Sequence, residues 1–105
     1  MSNELIDAMQ MGAAKAVPLL KVMAHEKRLI ILCCLMDEEM AVGPLSEKVG
    51  LKQATLSQHL QVLRHMGYVS TRRDGQTIYY KLLNKEADRI INLLHELYCP
   101  ENQKG

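Results

Sequence analysis

Tryptophan and phenylalanine are absent from this 105-residue chain, and four tyrosines are its whole complement of the large aromatics. A core must therefore be aliphatic, drawn from leucine, isoleucine, valine and seven methionines. Long apolar runs are missing too. The longest, Leu29 to Met36, has eight residues, far short of the ~20 that cross a bilayer. The first ten residues, MSNELIDAMQ, carry acidic groups and no basic stretch ahead of an apolar block, so they do not read as a secretory signal. A cytoplasmic protein with no membrane partner is expected. Three cysteines are an odd number and too few for a secreted disulfide framework. In a reducing compartment they serve as buried residues, metal ligands or redox groups.

Charge of one sign is also lacking, for the net is +1. Its distribution is uneven. Residues 1–50 hold five basic and seven acidic groups. Residues 51–76 hold Lys52, Arg64, Arg72 and Arg73 against Asp74 alone. That basic segment is a modest footprint for nucleic acid, and an ordinary solvated face explains it equally well. The length predicts a single domain over 1–105. So small a domain has a thin core and gains from burying surface in a partner.

What is present is a series of short elements without repeats. Asn3 to Met23 places Leu5, Met9, Ala13, Ala16 and Leu20 at helical spacing. Pro18 either kinks this helix or opens a second one. Glu26 to Met36 reads as a helix that is apolar on all sides after Leu29. Asp37 to Met40 reads as an acidic connection. Val42 to Val49 is a short helix that Gly50 ends. Gln53 to Met66 is a longer helix with Leu56, Leu60 and Leu63 inward, ended by Gly67. Tyr68 to Arg73 and Thr77 to Leu82 are enriched in Thr, Val, Ile and Tyr and read as strands, joined by Asp74-Gly75 as a two-residue hairpin. Asn84 to Tyr98 is a final helix, capped by Asn84, with Ala87, Ile90, Ile91, Leu94 and Leu97 on one side. The apolar stripes of the two terminal helices point to a homodimer interface, with packing inside one chain as the alternative.

Helix, short turn, helix and hairpin, in that order, make a winged helix-turn-helix: mainly α with a β-hairpin wing, about five helices and two strands. The second helix of such a pair enters the major groove of double-stranded DNA. With its leucines inward, Gln53, Thr55, Ser57, Gln58 and His59 are left to face outward. Gln pairs bidentately with adenine, and Ser and Thr bond base edges or phosphates. Arg64, further along, suits the DNA backbone. Arg72, Arg73 and Gln76 flank the hairpin tip and are placed for phosphates or the minor groove.

The segments MAHEKRLIIL, VGPLSEKVGLKQATLSQHLQVLRHMGYV and RRDGQTIYYKL resemble the ArsR/SmtB family of bacterial transcriptional regulators over roughly residues 15–99. Ser57-Gln58-His59-Leu60 with Leu63, then Gly67-Tyr68-Val69, match that family's recognition helix and its exit. The resemblance implies a homodimer that represses an operator and leaves it when an inducer binds. The chain departs from the family at His25-Glu26, where many members carry Asp or Asn followed by Pro, and His is a poor N-cap.

Many members sense metals, but no metal site is expected here. The stretch Met40-Ala41-Val42-Gly43-Pro44 has no thiol where those members carry Cys-x-Cys. Asp88, His95 and Glu96 lack the spacing of the family's other site, and they fall short of a four-ligand zinc shell. No cofactor is implied. The segments RLIILC and LLHELYCP resemble a narrower group of the family that includes BigR, SqrR and HlyU. Cys33 and Cys99 match that group's two cysteines, which respond to reactive sulfur species and related oxidants. Cys34 is additional and has no counterpart. The implied switch is a bridge between Cys33 and Cys99 that alters operator binding. The alternatives are a metal-responsive repressor, an inducer-independent anti-silencing regulator of the HlyU type, and a protein-interaction module. An enzyme fits least, since Cys33 lies in an apolar run without an evident activating partner.

Overall fold

The computed structural model describes residues 3–99. It contains helix α1 (Asn3–Met23), α2 (Glu26–Asp37), strand β1 (Met40–Ala41), α3 (Val42–Val49), α4 (Gln53–His65), β2 (Val69–Asp74), β3 (Thr77–Leu82) and α5 (Lys85–Tyr98). The strands form one antiparallel sheet in the order β1-β3-β2. The expected winged helix-turn-helix is present, and α3 and α4 are its helix pair.

Local chemistry accounts for the boundaries. Gly50 ends α3 at φ 71°, and its N–H donates to the Ser46 carbonyl at 2.9 Å. A side chain there would strain the left-handed turn. That turn sets the angle between α3 and α4. Asn84 caps α5, its Oδ1 accepting from the Ala87 N–H at 2.9 Å. The inward face of α4 is as expected: Leu56, Leu60 and Leu63 are fully buried. They join Ile31, Leu32 and Leu35 of α2, Leu45 and Val49 of α3, and Ala87 and Ile91 of α5 in one aliphatic cluster. Leu60→Ala should therefore cost about 2–5 kcal/mol. Urea unfolding should show this as a lower midpoint with an unchanged slope.

Three details differ from the sequence expectation, and a fourth decides between the alternatives left open at Pro18. The sheet has a third strand, because Met40 and Ala41 pair with Tyr80 and Tyr79. Two residues carry too little periodicity to be seen alone. The hairpin loop is Gly75-Gln76 rather than Asp74-Gly75, since Asp74 pairs with Thr77. Gly75 takes φ 65°, and among the described residues no residue other than glycine has positive φ, which suits a turn with glycine at its first central position. α1 continues through Pro18 as one helix. His25 does cap α2, its Nδ1 accepting from the Lys27 N–H at 3.2 Å.

The stripe read along α1 is not part of the core. Leu5, Met9, Ala13, Ala16 and Leu20 are all exposed, whereas Leu19, Val22 and Met23 are buried. Leu97 of α5 is exposed as well. The radius of gyration, 15.9 Å, exceeds the ~13 Å of a compact 100-residue domain. No helix among the described residues is long and apolar enough to cross a membrane.

Candidate functional site

Burial of the three leucines turns the other side of α4 to solvent. Gln53, Thr55, Ser57, Gln58 and Arg64 are exposed there. Gln61 and His65 are exposed on the same helix and extend the hydrogen-bonding surface beyond the residues singled out from sequence. No side chain caps the first turn of α4, so its N–H groups remain available to an acceptor. His59 differs from its neighbours. It is half-buried toward α2, where its Nδ1 accepts from the Arg28 Nε–H at 3.4 Å. Its ring meets that of His25 edge-on, with centroids 5.0 Å apart. Burial, then His25, then Arg28 push its pKa below the ordinary histidine value.

The wing arginines also part company. Consecutive strand residues point to opposite faces. Arg72 turns back to Glu39, donating from Nε to Oε1 at 3.0 Å and from Nη2 to the same carboxylate. Its guanidinium lies 4.7 Å from the centre of the Tyr79 ring. The hydrogen bond from Arg72 holds the Glu39 carboxyl below its usual range. Both side chains are partly open to water, so the pair adds little stability. It orients the strand instead. Arg73 and Gln76 are exposed near the tip. Arg72 is thus occupied within the chain, and Glu39, 33 positions away, was the residue that sequence reasoning missed.

The thiols lie at the other end of α2. Cys33, Cys34 and Cys99 are free and half-buried. Burial pushes the Cys33 thiol up to about 11, with Cys34 and then Cys99 adding to the shift. Cys99, at the end of α5, is therefore within electrostatic reach of Cys33. Cys34 is raised by burial, opposed by the Lys48 ammonium. An open cleft lined by Cys33, Cys34, Lys48, Asn92 and His95 gives solutes access. Among the described residues, no group of three or more His, Cys, Asp or Glu side chains is placed to hold a metal ion.

Residues 25–71 match the family model described as bacterial regulatory protein, arsR family. The chain is 51% identical to the transcriptional activator HlyU of Vibrio cholerae, over 93% of this chain and 91% of that one. The crystal structure of HlyU from Vibrio vulnificus superimposes with a TM-score of 0.85 at 51% identity, covering 90% of this chain and 98% of that one. The repressor BigR from Xylella fastidiosa gives 0.83 at 38% identity, covering 94% and 98%. A homodimeric winged helix-turn-helix DNA-binding domain from Mycobacterium bovis gives 0.71 at 25% identity, covering 100% and 94%. The HlyU and BigR relatives are transcriptional regulators rather than enzymes. Helix pair, wing and whole-length similarity agree: this chain belongs to the ArsR family of bacterial regulatory proteins and is a DNA-binding transcriptional regulator.

Proposed function

We propose that the chain is a single winged helix-turn-helix domain that works as a homodimeric repressor and releases its operator when Cys33 and Cys99 are bridged by reactive sulfur. The observation that carries the DNA reading is the polar outer face of α4, held rigid by three buried leucines behind it. Gln53, Thr55, Ser57 and Gln58 read bases or hold phosphates from this face. Arg64 and the tip residues Arg73 and Gln76 grip the backbone, while Arg72 serves the wing through Glu39. Ala87 and Ile91 of the α5 stripe pack inside the chain, but the exposed stripe of α1 together with Leu93 and Leu97 of α5 fits a second copy, as in the homodimeric relative.

A duplex selected by the protein from a random pool tests the reading. Gln58→Ala should weaken binding to it by about 1–3 kcal/mol per lost bidentate contact, measured by fluorescence anisotropy. Affinity should also fall steeply with salt. Equal affinity for selected and scrambled duplexes would overturn base readout by α4.

The thiol chemistry follows from the environment of Cys33. At pH 7 a thiol with a pKa of about 11 is ionised in only about one molecule in ten thousand, so Cys33 is a poor first nucleophile. Cys99 opens the reaction by attacking the sulfane sulfur of a persulfide donor RSSH, giving Cys99–S–SH and RSH. Cys33 then attacks the inner sulfur, closing Cys33–S–S–Cys99 and releasing H2S. The two thiols are oxidised and one sulfane sulfur is reduced. A longer polysulfide bridge relaxes the Cα separation of about 7 Å that a direct disulfide requires.

A second reading concerns only the sign of regulation. The Vibrio cholerae relative is a transcriptional activator, so DNA binding here could raise transcription by displacing a silencer. A reporter driven by the selected duplex decides it: the repressor reading requires higher expression when the protein is removed.

A further inference from the structure

The cluster where α2 meets α4 is not explained by packing or by the outward face of α4. Arg28 donates from Nε to His59 Nδ1. His25 Nδ1 accepts from the Lys27 N–H. Both rings are thus fixed by an acceptor at Nδ1, which places the proton of each neutral imidazole on Nε2. The remaining capacity of the cluster is donor-only: two Nε2–H groups and the terminal nitrogens of Arg28. Among the described residues the one salt bridge is that of Arg72 with Glu39, so neither Glu26, beside His25 in the first turn of α2, nor any other described carboxylate is in salt-bridge contact with Arg28. The charges that act on His59 are His25 and Arg28. The charged groups of the other elements packed on α4, Glu47 and Lys48 of α3 and Arg72, Arg73 and Asp74 of β2, do not reach it.

Neighbouring donors with no carboxylate in salt-bridge contact, beside the helix that reads DNA, are suited to an oxyanion. We propose that His25, Arg28 and His59 form a seat for one backbone phosphate of the bound duplex, and that the phosphate is taken up together with a proton from solvent. The proposal rests on DNA binding through α4 and adds a site from the preceding helix. In the free protein the Arg28–His59 bond needs an unprotonated Nδ1. A phosphate that draws the whole Arg28 guanidinium, Nε included, onto its oxygens breaks that bond and supplies the negative charge that lets His59 carry a second proton. Acid then has opposite effects on two measurements. The fold binds fewer protons at His59 than the unfolded chain does, so stability of the free protein falls as pH drops below about 6.5. DNA affinity rises over the same range.

The test uses the intact protein and the selected duplex. Between pH 7.5 and pH 6 the wild type should tighten about tenfold for one linked proton. His59→Gln, which retains a polar group but cannot take up a proton, should flatten that dependence, and His25→Asn, which preserves the cap of α2, should weaken binding by removing one donor of the seat. Arg28→Gln should lower the slope of log affinity against log salt by about one phosphate per subunit, and Arg28→Lys should restore it. A wild-type pH slope in His59→Gln, or an unchanged salt slope in Arg28→Gln, overturns the seat while leaving the α4 reading intact. Failure of the wild type to bind any duplex overturns both. Inorganic phosphate that shifts the His59 NMR titration as far as the duplex does would mark a free-anion site and overturn the DNA assignment.

Discussion

Polysulfide treatment should weaken operator binding by the wild type at least tenfold, and Cys33→Ser and Cys99→Ser should each abolish that response. A tenfold change requires only about 1.4 kcal/mol of difference between reduced and bridged states. The lever is long enough to supply it. Cys33 lies in α2, and the exit of α2 leads within a few residues to Glu39, which holds the wing through Arg72. Cys99 ends α5, whose exposed Leu93 and Leu97 belong to the proposed dimer face. A bridge therefore ties an element that positions the DNA-binding parts to one that positions the two subunits. Recognition helices in a dimer must meet half-sites about 34 Å apart, so a small rotation of each subunit costs both contacts together. The two variants should differ chemically. In Cys33→Ser, intact-mass analysis should find a persulfide at Cys99. In Cys99→Ser at neutral pH, Cys33 should stay unmodified, because burial disfavours its thiolate. Raising the pH toward 11 should awaken it. Release of DNA in the absence of any Cys33–Cys99 linkage would refute the switch.

The second large effect concerns the outer faces of α1 and α5. Leu20→Glu and Leu97→Glu should each give a monomer by analytical ultracentrifugation and lower DNA affinity about 100-fold or more, since joining two half-site readers contributes 10²–10⁴ in avidity. Leu20 is 52% exposed and Leu97 is 60% exposed in the single chain. A charge at either position leaves the aliphatic cluster untouched, so the monomer should still unfold cooperatively, at a lower temperature than the dimer because the stabilisation from association is lost. That separates assembly from folding. Dimers of undiminished DNA affinity in both variants would remove these faces from the interface.

Much of the fold was legible in order. Leucines four and three apart in α4, Gly50 after α3, Asn84 before α5 and β-rich runs around a glycine turn each act over a few residues, so their signals survive in a linear string. β1 was not legible, because a two-residue strand has no period of its own and exists only by pairing with β3. Along α1 the stripe was legible but its destination was not. A helical period shows that a face is apolar, and the structure shows that one chain leaves it uncovered.

The candidate site divides along the same line. Sequence by itself determined the winged helix-turn-helix and the polar face of α4, since each depends on residue type at short spacing, while Cys33 and Cys99 were singled out by the family resemblance. Tertiary structure alone decided what those side chains do. Arg72 and Glu39 are 33 positions apart, and Arg28 and His59 are 31 apart. Packing turns His59 inward, engages Arg72, and sets Cys99 within electrostatic reach of Cys33. Charges and hydrogen bonds act through distance in space, and only the folded chain converts sequence separation into that distance.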